Sequence, residues 1–126
     1  MNGFDFAALP ALVAAQPRLG RWARKQNFSF RVVDDGNETL VTIEDGKVAS
    51  AVSGTFAAGT WDFSLSAERA VWSQFLAAIP APGFHDLIAL LRYGRLKVEG
   101  DELIFMRNML FIKGSLAAMR QKGAGQ

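Results

Sequence analysis

The sequence predicts an α+β domain with five strands, and three observations carry that expectation. Apolar and polar residues alternate over 28–33, 39–44 and 47–53, with Asp34-Asp35-Gly36-Asn37 and Asp45-Gly46 between them, which predicts a three-strand antiparallel meander. The same period of two returns at 61–66 and 95–99, giving a fourth and a fifth strand. Residues 101–120 instead repeat with a helical period: Phe105, Met109, Ile112, Leu116 and Met119 share one stripe.

Composition sets the class. A chain of 126 residues, half of them hydrophobic and 21% charged, is one globular domain over 1–126 with a single core. A formal net charge of +2 is too small to argue for nucleic acid, despite a pI of about 9.3. With no cysteine, there is no disulfide, thiol chemistry or thiolate metal site. Asp5 stands where a signal peptide would carry positive charge, and Arg107, Asn108 and Lys113 interrupt the longest apolar run. The expectation is a soluble cytoplasmic protein.

In chain order, residues 5–16 read as a short helix capped by Asp5, with Pro10 starting it late or bending it. Pro17 closes that segment. Arg18, Arg21, Arg24 and Lys25 follow around Trp22 and share one side of a helix. Such a side is either a solvated surface or a weak contact for anionic membrane. After the meander, Gly54 to Thr60 is a loop. Ser66 is expected to cap a helix with Glu68 in its first turn and Val71, Trp72, Phe75, Leu76 and Ile79 on its apolar face. Pro80 to Gly83 ends it. His85-Asp86 opens another helix, with Leu87, Ile88, Leu90 and Leu91 inward and Gly94 as its stop. Residues 121–126 are expected to fray.

The last helix is apolar around most of its circumference, since Leu103, Ile104, Met106, Leu110 and Phe111 lie off the main stripe. It is either an ordinary core helix with gap-filling methionines or an element covered by an apolar ligand or a partner chain.

Catalytic chemistry is not legible. His85 is the single histidine, and no carboxylate cluster has metal-ligand spacing. No nucleophile elbow, P-loop or dinucleotide fingerprint occurs. His85 beside Asp86 is read first as a helix-start pair and second as an oriented imidazole.

The segment Tyr93-Gly-Arg-Leu-Lys-Val-Glu-Gly-Asp101 resembles the stretch that ends the sheet and starts the final helix in the sterol-carrier-protein domain family. Val41-Thr-Ile-Glu-Asp-Gly-Lys-Val48 and Asp62-Phe-Ser-Leu-Ser-Ala-Glu68 resemble other parts of such domains, in the same order. The likeness covers roughly residues 28–119, and the double-proline passage 79–84 departs from the pattern. It implies a five-stranded, mainly antiparallel sheet with helices on one face, and non-enzymatic binding of a sterol, fatty acid or acyl chain in an apolar tunnel. Neither a cofactor nor a catalytic residue is implied. Trp72, Phe75, Ile88, Leu91, Phe105, Met106, Met109 and Ile112 are the residues expected to line that tunnel, with transfer of the ligand as a further expectation. The alternative is an interaction or homodimerisation module built on the final helix.

Overall fold

The computed structural model describes residues 6–120; the Asp5 cap and the frayed tail at 121–126 lie outside the described residues. Five strands form one sheet: β1 (Asn27–Asp34), β2 (Asn37–Glu44), β3 (Lys47–Gly54), β4 (Phe63–Ala67) and β5 (Lys97–Gly100), in the order β3-β2-β1-β4-β5. Every neighbouring pair is antiparallel except β1 with β4. The mainly antiparallel α+β architecture expected from the alternation is therefore present.

The alternation decides which face is covered. Phe28, Phe30 and Val32 point to the buried side of β1, and Val41, Ile43, Phe63 and Leu65 continue that side on its neighbours. Phe30 and Phe63 are directly paired across the parallel ladder, with ring centroids 5.2 Å apart and planes 1° from parallel. Five helices cover the core: α1 (Leu9–Ala14), α2 (Arg69–Phe75), α3 (Leu87–Arg92), α4 (Glu102–Arg107) and α5 (Met109–Ala117). A 3-10 turn, Phe6–Ala8, precedes α1, and a 3-10 segment, Pro17–Ala23, carries two of the four basic residues expected on a helix, Arg18 and Arg21, with Arg24 and Lys25 following it.

The opposite face is polar and is crossed by the loop 55–62, which returns the chain so that β4 can run parallel to β1. Arg31 anchors that loop. Its guanidinium donates to Ser64 Oγ at 2.9 Å and Glu38 Oε1 at 3.3 Å, and lies 4.8 Å over the Trp61 ring. Glu38 Oε1 also accepts from the Phe56 N–H, and the Trp61 indole donates to the Phe56 carbonyl.

Several boundaries differ from the sequence reading. The fourth strand starts at Phe63 because Asp62 is bound to β1 through its main chain and carboxylate, both on Ser29. Ser66 lies inside β4 and caps nothing. The cap of α2 comes from Asp35, whose Oδ1 accepts the Arg69 N–H at 2.9 Å. For that contact Asp35, rather than Gly36 or Asn37, takes the positive φ of the first turn. Helix α2 stops at Phe75, so Ile79 is exposed and not on its buried face. The fifth strand starts at Lys97, since Arg95 N closes α3 by donating to Leu90 O.

The final helix is two, broken at the buried Asn108, whose φ of −108° and ψ of 17° leave the helical region. Its side-chain amide donates to Ile104 O at 3.0 Å, and i to i−4 backbone bonds, Asn108 N to Ile104 O and Ile112 N to Asn108 O, still span the break. Asp86, read as part of a helix-start pair, caps α3 by accepting from Ala89 N at 2.8 Å, and Asp101 caps α4 by accepting from Ile104 N at 3.1 Å. Among the described residues no helix is long and apolar enough to cross a membrane.

Candidate functional site

A groove of about 630 Å³ lies where α1 and the 3-10 segment face the β2–β3 hairpin. Helix α1 supplies Pro10, Val13 and Ala14, the 3-10 segment supplies Pro17, Gly20 and Arg21 with Arg24 just past its end, and the hairpin supplies Asp45, Gly46, Lys47 and Val48. The sequence sets this geometry locally. Asp45 and Gly46 both have positive φ (50° and 74°), the conformation a tight two-residue hairpin turn requires. Asp45 then ties the hairpin to the basic segment: its Oδ1 accepts the Lys25 N–H at 2.7 Å, while its own N–H donates to Asn27 Oδ1 at 3.0 Å. Gly20 and Gly46 let the two backbones touch beneath the groove.

The groove has an apolar floor and a cationic rim. Val13 and Val48 are buried and belong to the core as well as to the groove, so the core comes to the surface here. Arg21, Arg24 and Lys47 are exposed around it, with Asp45 as the carboxylate between them. Such a surface can take an apolar tail and leave a negative head among the cations.

The eight residues expected to line a tunnel fall into three groups, and none of them lines the groove. Trp72, Phe75, Phe105 and Ile112 are fully packed in the core, and the Trp72 indole donates to Val33 O at 2.8 Å. Leu91 and Met109 are half-buried against that core. Ile88 and Met106 face solvent, 41% and 54% exposed, and are not tunnel-lining in this structure. On a continuous helix Met106 falls about a quarter-turn or more from the centre of the buried stripe; the short α3 turns only Leu87 and Leu90 fully inward. Sequence reasoning singled out the basic segment and the Asp-Gly turn separately, but no pattern in the chain announces that they meet.

Among the described residues no cluster of three His, Asp or Glu side chains is arranged to hold a metal. The His85 Nε2 lies 3.3 Å from Asp86 Oδ2 on the surface, while the other Asp86 oxygen caps α3. One resolved shift concerns Arg120, whose pKa is lowered by partial burial and held up in part by Asp86.

No protein-family model and no curated protein matches the sequence. The fold does find matches. It superposes on sterol carrier protein 2 with a TM-score of 0.72 and 16% identity, over 92% of this chain and 93% of that one. A stereoselective inverting sec-alkylsulfatase from Pseudomonas sp. matches with a TM-score of 0.54 and 14% identity, over 75% of this chain but 14% of the sulfatase. The chain has the fold of sterol carrier protein 2.

Proposed function

We propose that the protein binds lipid without catalysing a reaction on it, and that the ligand is an acyl chain with an anionic head. The observation that carries this reading is the groove, in which buried valines form the floor and three cations the rim. Its volume lies in the ordinary range for small-molecule sites. Magnitudes say which part of the ligand matters. About ten buried methylenes contribute on the order of 8 kcal/mol before the cost of immobilising the chain. Exposed ion pairs to the rim contribute at most about 1 kcal/mol each. The tail therefore sets affinity, and the head sets orientation.

In this reading the tail enters between Val13 and Val48 and is directed beneath α1 towards α5. There Met109 and Ile112, with Phe105, Trp72, Phe75 and Leu91 behind them, form the apolar wall it meets when the helical layer opens. The basic residues Arg18, Arg21, Arg24 and Lys25, with Trp22, favour release to and uptake from an anionic membrane. The likeness to sterol carrier protein 2 supports lipid binding in general. It does not favour the dimerisation module over that reading.

The test is displacement of a fluorescent fatty-acid probe. A free fatty acid should displace it better than the matching methyl ester, and Ala14→Trp, which fills the groove from an exposed position, should abolish probe binding without unfolding the domain. Unchanged binding in folded Ala14→Trp, or no probe binding by the wild type, would sink the proposal.

A further inference from the structure

The outward side of α4 and α5 carries an apolar ridge that the groove does not use. Leu103 is 66% exposed and Leu110 57%, and with Met106 they fall within about 60° of one another around the helix. Gly114 continues that side one turn further on. There the absent side chain lets the basic 3-10 segment close in, with Leu19 packed against Gly114 and a Trp22 ring atom 3.5 Å from where a Cβ would stand. Trp22, itself half exposed, thus extends the ridge on a second element. From Leu103 to Gly114 the ridge runs roughly 16 Å along the helices.

Charge identifies what covers it. Residues 6–26 and 103–120, which carry most of this side, contain no aspartate or glutamate, and Glu102, in the first turn of α4, is the one carboxylate of α4 and α5. Arg107 flanks the ridge on one side and Lys113 on the other, the latter shared at 4.0 Å with Asp86 of α3. Arg18 and Arg21 stand exposed beside Trp22. The carboxylates of the described chain are confined to residues 34–102. Exposed leucine and methionine side chains, a tryptophan at one end and cations on both flanks match the boundary of an anionic bilayer: apolar groups enter below the head groups and cations pair with phosphates or carboxylates.

We propose that the Leu103–Met106–Leu110 ridge, with Trp22, docks on the surface of anionic membranes. Leu103, Met106, Leu110 and Trp22 do not line the groove, although Arg21 belongs to its rim; the proposal extends the membrane contact of the basic segment to this ridge, and substitution at Leu110 leaves the groove lining untouched.

Co-sedimentation with phosphatidylcholine vesicles, with and without phosphatidylserine, tests it on the full chain. Wild type is expected to pellet with the phosphatidylserine vesicles, less so as salt is raised, and with a blue shift of emission that Trp22→Phe removes. Leu110→Asp should bind roughly tenfold more weakly or worse, and Arg107→Gln should lower the salt dependence. Leu110→Asp is exposed, and retained circular dichroism and fatty-acid probe displacement will show that it is folded. The proposal is overturned if folded Leu110→Asp pellets like wild type, or if neutral and anionic vesicles bind equally at all salt concentrations. It is also overturned if the wild type is a dimer without vesicles that Leu110→Asp splits, which would make the ridge a self-association surface. Loss of vesicle binding with intact probe displacement leaves the groove reading standing.

Discussion

Gly20 and Gly46 meet backbone to backbone: a Cβ on Gly46 would stand 2.6 Å from the Gly20 carbonyl oxygen and 3.1 Å from that of Ala23. Gly46 also has a φ of 74°, which disfavours any side chain. Gly46→Ala is therefore expected to cost about 1–3 kcal/mol, by strain and by forcing the hairpin away from the basic segment. Gly36→Ala, in a turn where a Cβ meets nothing within 4 Å, should change stability by less than about 0.5 kcal/mol. Urea midpoints compare the two. Equal midpoints would mean that the hairpin moves without cost and that the groove is not fixed by this contact.

Neighbouring positions on α4 separate core from surface. Phe105 is buried and its ring lies 5.4 Å from that of Phe63, so Phe105→Ala should cost roughly 3–5 kcal/mol. Met106→Ala removes an exposed side chain and should stay within about 0.5 kcal/mol. Guanidinium unfolding of both variants checks the pair. A small loss for Phe105→Ala would indicate a cavity at that place.

Much of the sheet was legible because each strand keeps its own alternation and Asp45-Gly46 is a specific turn signal. What escaped depends on residues distant in sequence. The cap of α2 is Asp35, 34 residues before the amide it binds, so the nearby Ser66 was the wrong candidate. Helix α2 ends at Phe75, whose carbonyl is taken by Arg120 at 2.8 Å, and no local pattern placed Ile79 outside. The break at Asn108 has no proline or glycine to mark it, and the apolar period runs through it. The candidate groove was half legible: its basic rim and its turn were visible singly, but their meeting is a product of tertiary packing.

Arg120 holds the passage between α2 and α3 in place. Its Nε donates to Phe75 O at 2.8 Å, its Nη2 to His85 O at 2.6 Å, and its guanidinium lies 4.8 Å over the Phe75 ring. Lysine cannot reproduce that fork. Arg120→Lys is expected to cost about 1–2 kcal/mol and to speed amide exchange across residues 76–86. Unchanged exchange there would show that the double-proline passage is held by other contacts.

Ser115 presents the opposite case. Its Oγ is buried on α5 without a hydrogen-bond partner among the described residues. Ser115→Ala should therefore keep stability or raise it by up to about 1 kcal/mol in thermal unfolding. A loss of more than about 1 kcal/mol would reveal a partner for that hydroxyl.

The parallel pairing of β1 with β4 shapes what happens on the ribosome. When residues 27–54 have emerged, the three-strand meander can close, but β1 is an open edge at Phe30: the main-chain groups of Ser29 and Arg31, on either side of Phe30, are unpaired there. Phe63, the neighbour of Phe30, arrives only after the loop 55–62 has been made. At about 5–20 residues per second, the stretch from 54 to 67 takes roughly 1–3 s. For that interval the nascent chain offers an aromatic edge strand to any other extended segment, and β4 is the strand that withdraws it.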